Sequence, residues 1–205
     1  MGSISRRSLA CLALLVTLVS PSFIFADSSA GPEAMIGGLV QQALALIRSK
    51  QLSDDARGQQ FKALLDSNFD IPHISRFVLG RYWSTANADD VKAFNDLFEK
   101  WVVRVYSSRF KDYSGETVKV TGSHPEGDSG AVVTSQLVHP DNSPPAELDW
   151  HVEKTPGGYK IVDIEVEGVS MALTERDEFA AIISRNGGSI ASLNQAMQQK
   201  LASAD

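Results

Sequence analysis

Cysteine is almost absent: Cys11 stands alone in 205 residues, inside a segment that does not read as part of the fold. Arg6 and Arg7 precede an apolar run from Leu9 to Val19, and Ala26 follows as a small residue. Positive charge, then an apolar run, then a small residue predict an export signal over residues 1–26 and one mature domain over residues 27–205. Without the signal the chain carries no cysteine, which excludes intrachain disulfides, thiolate metal sites and a cysteine nucleophile together. Cys11 precedes most of the apolar run and so is misplaced for lipid attachment. Ser5–Leu9 is faintly similar to a twin-arginine signal, although the strongly apolar core fits the general export route better.

Long apolar runs are missing too, since nothing beyond the signal approaches the roughly 20 residues that a membrane span needs. Positive charge is scarce, with 19 Lys and Arg against 25 Asp and Glu for a formal net charge of −6, more negative once Arg6 and Arg7 are removed. An acidic domain of this kind is a poor match for nucleic acid or an anionic membrane surface. No glycine loop of a phosphate-binding type occurs. His73, His124, His139 and His151 are scattered without metal-ligand spacing, so no metal, cofactor or catalytic residue is expected.

The chain that remains is rich in amphipathic pattern. It is organised around Phe69–Trp83, where Asp70 can cap and Pro72 can start a helix over residues 71–79 that Gly80 ends, followed by Tyr82 and Trp83. Those rings suit either plain core packing or the lining of a cavity with polar atoms near its mouth. Before this stretch, Ile36, Leu39, Val40, Ala43, Leu44 and Ile47 recur at helical spacing after a leader ending at Pro32, and Ser53 caps a second helix ending before Asn68. After it, Asn87 with Asp90 opens a helix of about twenty residues carrying Val91, Phe94, Phe98, Trp101, Val102 and Val105.

After Ser114 and Gly115 the period changes from helical to two. Four antiparallel strands are predicted around Val118–Val120, Ala131–Val138, Leu148–Val152 and Val162–Val166, with turns at residues 125–130, 140–145 and 156–158. Thr174 with Asp177 predicts a further helix through Phe179, Ile182 and Ile183, broken by Gly187 and Gly188 before a last helix from Ile190 to Leu201. Helices, a strand meander and helices again make an α+β fold, several helices on a curved four-stranded antiparallel sheet.

Two patterns could carry chemistry. Asp163, Glu165 and Glu167 alternate on one strand face opposite Val162, Ile164 and Val166, which suits either an acid–base pair or a solvated face. Gly168-Val169-Ser170-Met171-Ala172 is close to a nucleophile elbow but lacks its last glycine and follows hairpin-linked strands, so Ser170 reads as a turn or capping residue.

Phe69-Asp70, Leu79-Gly80-Arg81-Tyr82-Trp83, Tyr106-Ser107-Ser108-Arg109, Tyr113 with Gly115, and Asp163–Glu167 followed by Gly168-Val169-Ser170 occur in this order along one chain. Together they resemble the MlaC-type periplasmic lipid carriers, also called toluene-tolerance auxiliary proteins, including hopanoid-associated members, over nearly all of the mature chain. The resemblance implies an apolar pocket for acyl chains with the head group outside. It also implies periplasmic location and a role in outer-membrane lipid asymmetry: phospholipid passes between an outer-membrane lipoprotein complex and an inner-membrane ABC transporter, without catalysis. Glu175 before Arg176 departs from the pattern, in which an aromatic often precedes that arginine.

Candidate lipid-lining residues are Tyr82, Trp83, Val102, Val105, Tyr106, Trp150, Val166, Val169 and Met171, chosen for apolar bulk and inward phase; each also fits a filled core. Val169 stands out by its place beside Gly168 at the sheet's end, where a charged replacement is expected to abolish lipid retention. Three alternatives stay open: a hopanoid or other apolar lipid as cargo; an enzyme with a cone-shaped pocket using Asp163 or Glu165 as base near Tyr106; and a structural or partner-binding export protein with a filled core and no lipid.

Overall fold

The structure, a computed structural model, describes residues 31–202, so the expected signal over residues 1–26 and the start of the mature chain lie outside the described residues. Six helices and one antiparallel sheet follow in the predicted order: α1 (Pro32–Arg48), α2 (Asp54–Asn68), α3 (Ile71–Leu79), α4 (Ala88–Ser108), β1 (Thr117–Glu126), β2 (Gly130–Val138), β3 (Ala146–Thr155), β4 (Gly158–Val166), β5 (Val169–Ser170), α5 (Met171–Arg185) and α6 (Ile190–Ala202). Pro32 is no leader residue. It occupies the first turn of α1, where a missing N–H costs nothing.

Helix starts are fixed by side chains that accept from otherwise orphaned backbone donors. Ala56 N donates to Ser53 Oγ at 3.2 Å, His73 N to Asp70 Oδ1 at 3.0 Å, and Asp90 N to Asn87 Oδ1 at 2.8 Å. The start expected at Thr174 falls a turn earlier, because Ser170 Oγ accepts from Leu173 N at 3.0 Å and the Thr174 hydroxyl donates to Ser170 O instead.

The sheet is an open meander in the order β1-β2-β3-β4-β5. β5 is the addition to the four expected strands: Glu167 (φ 53°) and Gly168 (φ 73°) turn the chain so that Val169 and Ser170 pair back onto Val166 and Glu165. The register shifts between Val120 and Gly122 in β1 and opposite His151–Val152 in β4, bulges that bend and twist the strands. In β4 the bulge inserts Val162 between Ile161, which faces Val152, and Asp163, which faces His151.

Burial divides into two clusters. One is helical, built from α3, α4, α5 and α6 around Phe94, Phe98 and Phe179, whose rings meet edge-on or stacked at centroid distances of 5.5 to 6.2 Å. The other joins Ile36, Leu39 and Val40 of α1 to Val133, Val152 and Ile161 of the sheet. Among the described residues no helix is long and apolar enough to cross a membrane.

Candidate functional site

Where the two clusters would meet, the molecule holds a cavity of about 360 Å3, within the roughly 300–1,000 Å3 typical of small-molecule sites. Its walls draw on both clusters, with Leu39 and Val40 from one and Val78, Phe98 and Ala172 from the other. Helical periodicity explains the contributions of each element. Leu39, Ala43 and Ile47 recur every four residues on α1, Phe61 and Leu65 do so on α2, and Ile71, Ile74 and Val78 mark one face of α3. The sheet closes the opposite side with Val118, Leu137, Trp150, Val162 and Ile164.

Several polar groups in this wall are tied to the protein itself. Trp150 Nε1 donates to Ser135 Oγ at 2.9 Å, and the buried Ser135 hydroxyl donates onward to Leu148 O. Arg48 Nε donates to the Tyr113 hydroxyl at 2.9 Å. Glu116 accepts from the Ser114 hydroxyl and from the Ser114 and Gly115 N–H groups, which hold its pKa down to about 2. It is therefore a charged turn brace and not a proton donor at neutral pH.

Asp163, the carboxylate that an acid–base reading would require in the cavity, does line it. Its Oδ1 accepts from Ile164 N at 2.8 Å and Ala172 N at 3.0 Å, and its Oδ2 accepts from the Ser170 hydroxyl. Both oxygens thus serve the start of α5. Glu165 points elsewhere, 3.4 Å from His151 Nε2, while His151 Nδ1 lies 2.9 Å from Glu126. No group of His, Cys, Asp and Glu among the described residues could hold a metal ion.

The least settled polar pair is Tyr106 with Glu175. Burial raises the Tyr106 pKa, with Glu175 adding to the effect. Burial likewise raises that of Glu175, with Glu178 adding and the Trp101 hydrogen bond opposing. An acid stands here inside the apolar face of α5, between Met171 and Ala172 on one side and Phe179 on the other.

Of the residues proposed as lining, Val102, Tyr106, Trp150 and Met171 are in the cavity wall. The structure places the other five elsewhere. Tyr82 and Trp83 pack against the helical cluster and outside the cavity wall, just after the positive-φ turn at Gly80 (φ 52°). Val105 is half-buried in α4 outside the wall, and Val166 sits at the end of β4 against Leu148 and Val169. Val169 is 60 % exposed and outside the wall. The large contributions of α1, α2 and α3 were missed because their apolar stripes read equally well as core. Two signals were available: Ala43, small within a stripe of Leu and Ile, and Glu175, charged within an apolar face.

An α+β scaffold with helices folded over an open antiparallel sheet, and an apolar cavity between them, defines the architectural class. Within it, the MlaC protein family model matches residues 38–199, and the chain belongs to the MlaC family. Among solved structures it is similar to a phospholipid-binding protein from Ralstonia solanacearum in complex with a phospholipid. The two share 26% identity at a TM-score of 0.72, over 85% of this chain and 98% of that one.

Proposed function

We propose that this protein is a periplasmic lipid carrier that shields phospholipid acyl chains in its cavity. The observation that carries the reading is the wall itself, apolar side chains from five helices and four strands around one space, with the Trp150, Tyr113, Glu116 and Asp163 polar groups bonded back into the protein. Each Å2 of acyl surface withdrawn from water contributes roughly 25 cal/mol, so two chains of ordinary length supply ample affinity without a covalent step. Family membership and the phospholipid held by the Ralstonia relative support the same cargo. In this reading residues 1–26 direct export, residues 27–205 form one lipid-binding domain, and the loaded carrier passes between an outer-membrane lipoprotein complex and an inner-membrane ABC transporter. Val102, Tyr106, Trp150 and Met171 contact the acyl chains.

The enzymatic alternative finds little support, since Asp163 is committed to the turn into α5 and Glu165 to His151. Native mass spectrometry of the protein purified from its own periplasm, followed by lipid extraction, tests the proposal. A stoichiometric phospholipid is the expected result. A hopanoid would change the cargo and keep the mechanism, and a lipid-free protein would overturn the reading.

A further inference from the structure

Helices α3 and α5 form a wall with two unlike sides. Toward the cavity they present Ile71, Ile74, Val78 and Glu175; away from it, His73, Arg76, Phe77 and Arg176 border a second, shallow cleft of about 400 Å3 that shares no residue with the first. Gly80, Trp83 and Ser84 complete the cleft, and no carboxylate lines it. That is unusual in a chain with more acidic than basic residues. Elsewhere cations find carboxylates: Arg57 and Lys111 pair with Asp54, Lys62 with Asp66 and Glu99, and Lys92 with Asp96.

The Arg76 and Arg176 side chains form no ion pair or hydrogen bond within the described residues, yet both are positioned by stacking. The Arg76 guanidinium lies over the Trp83 ring at 5.8 Å and that of Arg176 over the Phe77 ring at 5.3 Å. Gly80 makes the second arrangement possible, because a Cβ at that position would come within 2.7 Å of Arg176 Nε. Its backbone (φ 52°, ψ −126°) is also one that side chains disfavour. The Leu79-Gly80-Arg81-Tyr82-Trp83 segment thus gives the turn both the glycine that admits Arg176 and the indole that supports Arg76.

Two planar guanidinium groups held against aromatic rings, with their N–H donors free toward one cleft and an exposed imidazole beside them, match the oxygens of a phosphate. We propose that this cleft binds a phosphate ester, separately from the apolar cavity. The ester can come from a free phosphorylated metabolite or from the head group of a phospholipid, and the site holds whether or not the cavity carries lipid.

The test is NMR titration of the intact mature protein with glycerol 3-phosphate and, in parallel, with monomeric short-chain phosphatidylglycerol, reading the Trp83 indole and the Arg76 and Arg176 side-chain signals. Saturable shifts at millimolar probe are expected, weakened at least tenfold by Arg76→Gln or Arg176→Gln and unchanged by Arg185→Gln on the far end of α5. Arg176→Lys, which keeps the charge and loses the planar fork, should also weaken binding and guards against misfolding of the neutral variants. Shifts with glycerol 3-phosphate alone assign a free ester, and shifts with the short-chain lipid assign a head group. No saturable shift with either probe, or shifts that survive both neutral substitutions, would overturn the site. Co-purified lipid, measured on the same samples, reports the cavity independently.

Discussion

Trp101 Nε1 donates to Glu175 Oε1 at 3.1 Å, joining α4 to α5 across the wall of the apolar cavity. The Lys200 ammonium lies 5.0 Å from the centroid of the same indole, so the pair sits beneath a cation supplied by α6. The arrangement holds a carboxyl group in a wall shared with Met171, Ala172 and Val102. Water would solvate that charge better.

Burial, followed by the nearby Glu178, raises the Glu175 pKa above its ordinary value. An acid with a raised folded-state pKa favours folding most at low pH, and that contribution is lost as pH rises through the raised value. Glu175→Gln keeps an oxygen for the indole and removes the charge, so its thermal midpoint at pH 7.5 should exceed that of the parent by about 2–4 °C. The gap should close as pH falls below about 4.3, where the carboxyl is protonated in both states. Thermal unfolding at the two pH values measures this; a variant less stable at pH 7.5 would mean that the charged form is favoured in place.

Asp163 illustrates a carboxylate whose position suggests chemistry and whose bonds explain architecture. It holds Ala172 N and the Ser170 hydroxyl at the start of α5. Asp163→Ala leaves these donors without an acceptor and should cost about 1–2 kcal/mol, with Asp163→Asn costing less because one oxygen remains. Urea unfolding should resolve the order. Equal stability of all three proteins would remove Asp163 from this role.

The helices and the meander were legible because their signals are local: Ser53, Asp70 and Asn87 cap as their types predict, and apolar spacing marks each element. The phase of β4 was less so. Alternation puts Asp163 opposite Val162 and Ile164, but the bulge at Val162 resets the strand, and all three contribute to the cavity wall. A bulge is set by pairing with a partner strand, here at His151–Val152, which a strand's own residues do not display. The same limit applies to Tyr82 and Trp83. Their amphipathic rings announce a polar rim, but which side of α3 they reach depends on the turn at Gly80. The distinction between core and cavity is harder still, since Leu39 and Ile47 present the same stripe in either case.

Val169 separates a position chosen by sequence from one defined by structure. It belongs to the tight turn back onto β4, is 60 % exposed and lies outside the cavity wall. Val169→Lys should therefore leave the co-purified lipid unchanged and the stability within about 0.5 kcal/mol of the parent, as surface substitutions generally do. Loss of lipid in a folded variant would show that this turn governs entry to the cavity from outside.

Ala43 is the complementary case. It sits on α1 four residues from both Leu39 and Ile47, all three in the wall, and its methyl group leaves space that a larger side chain would fill. Ala43→Phe extends a ring into the cavity without burying a polar group, and the helical backbone accepts the change at a cost of about 0.5 kcal/mol in propensity. If acyl chains occupy this space, the variant should retain its far-UV circular dichroism and carry at least tenfold less lipid by native mass spectrometry. Because filling a cavity restores contacts that its lining lacks, the lipid-free variant should unfold no earlier than the lipid-free parent. Undiminished lipid in a folded Ala43→Phe protein would place the cargo elsewhere and leave the cavity without its assigned role.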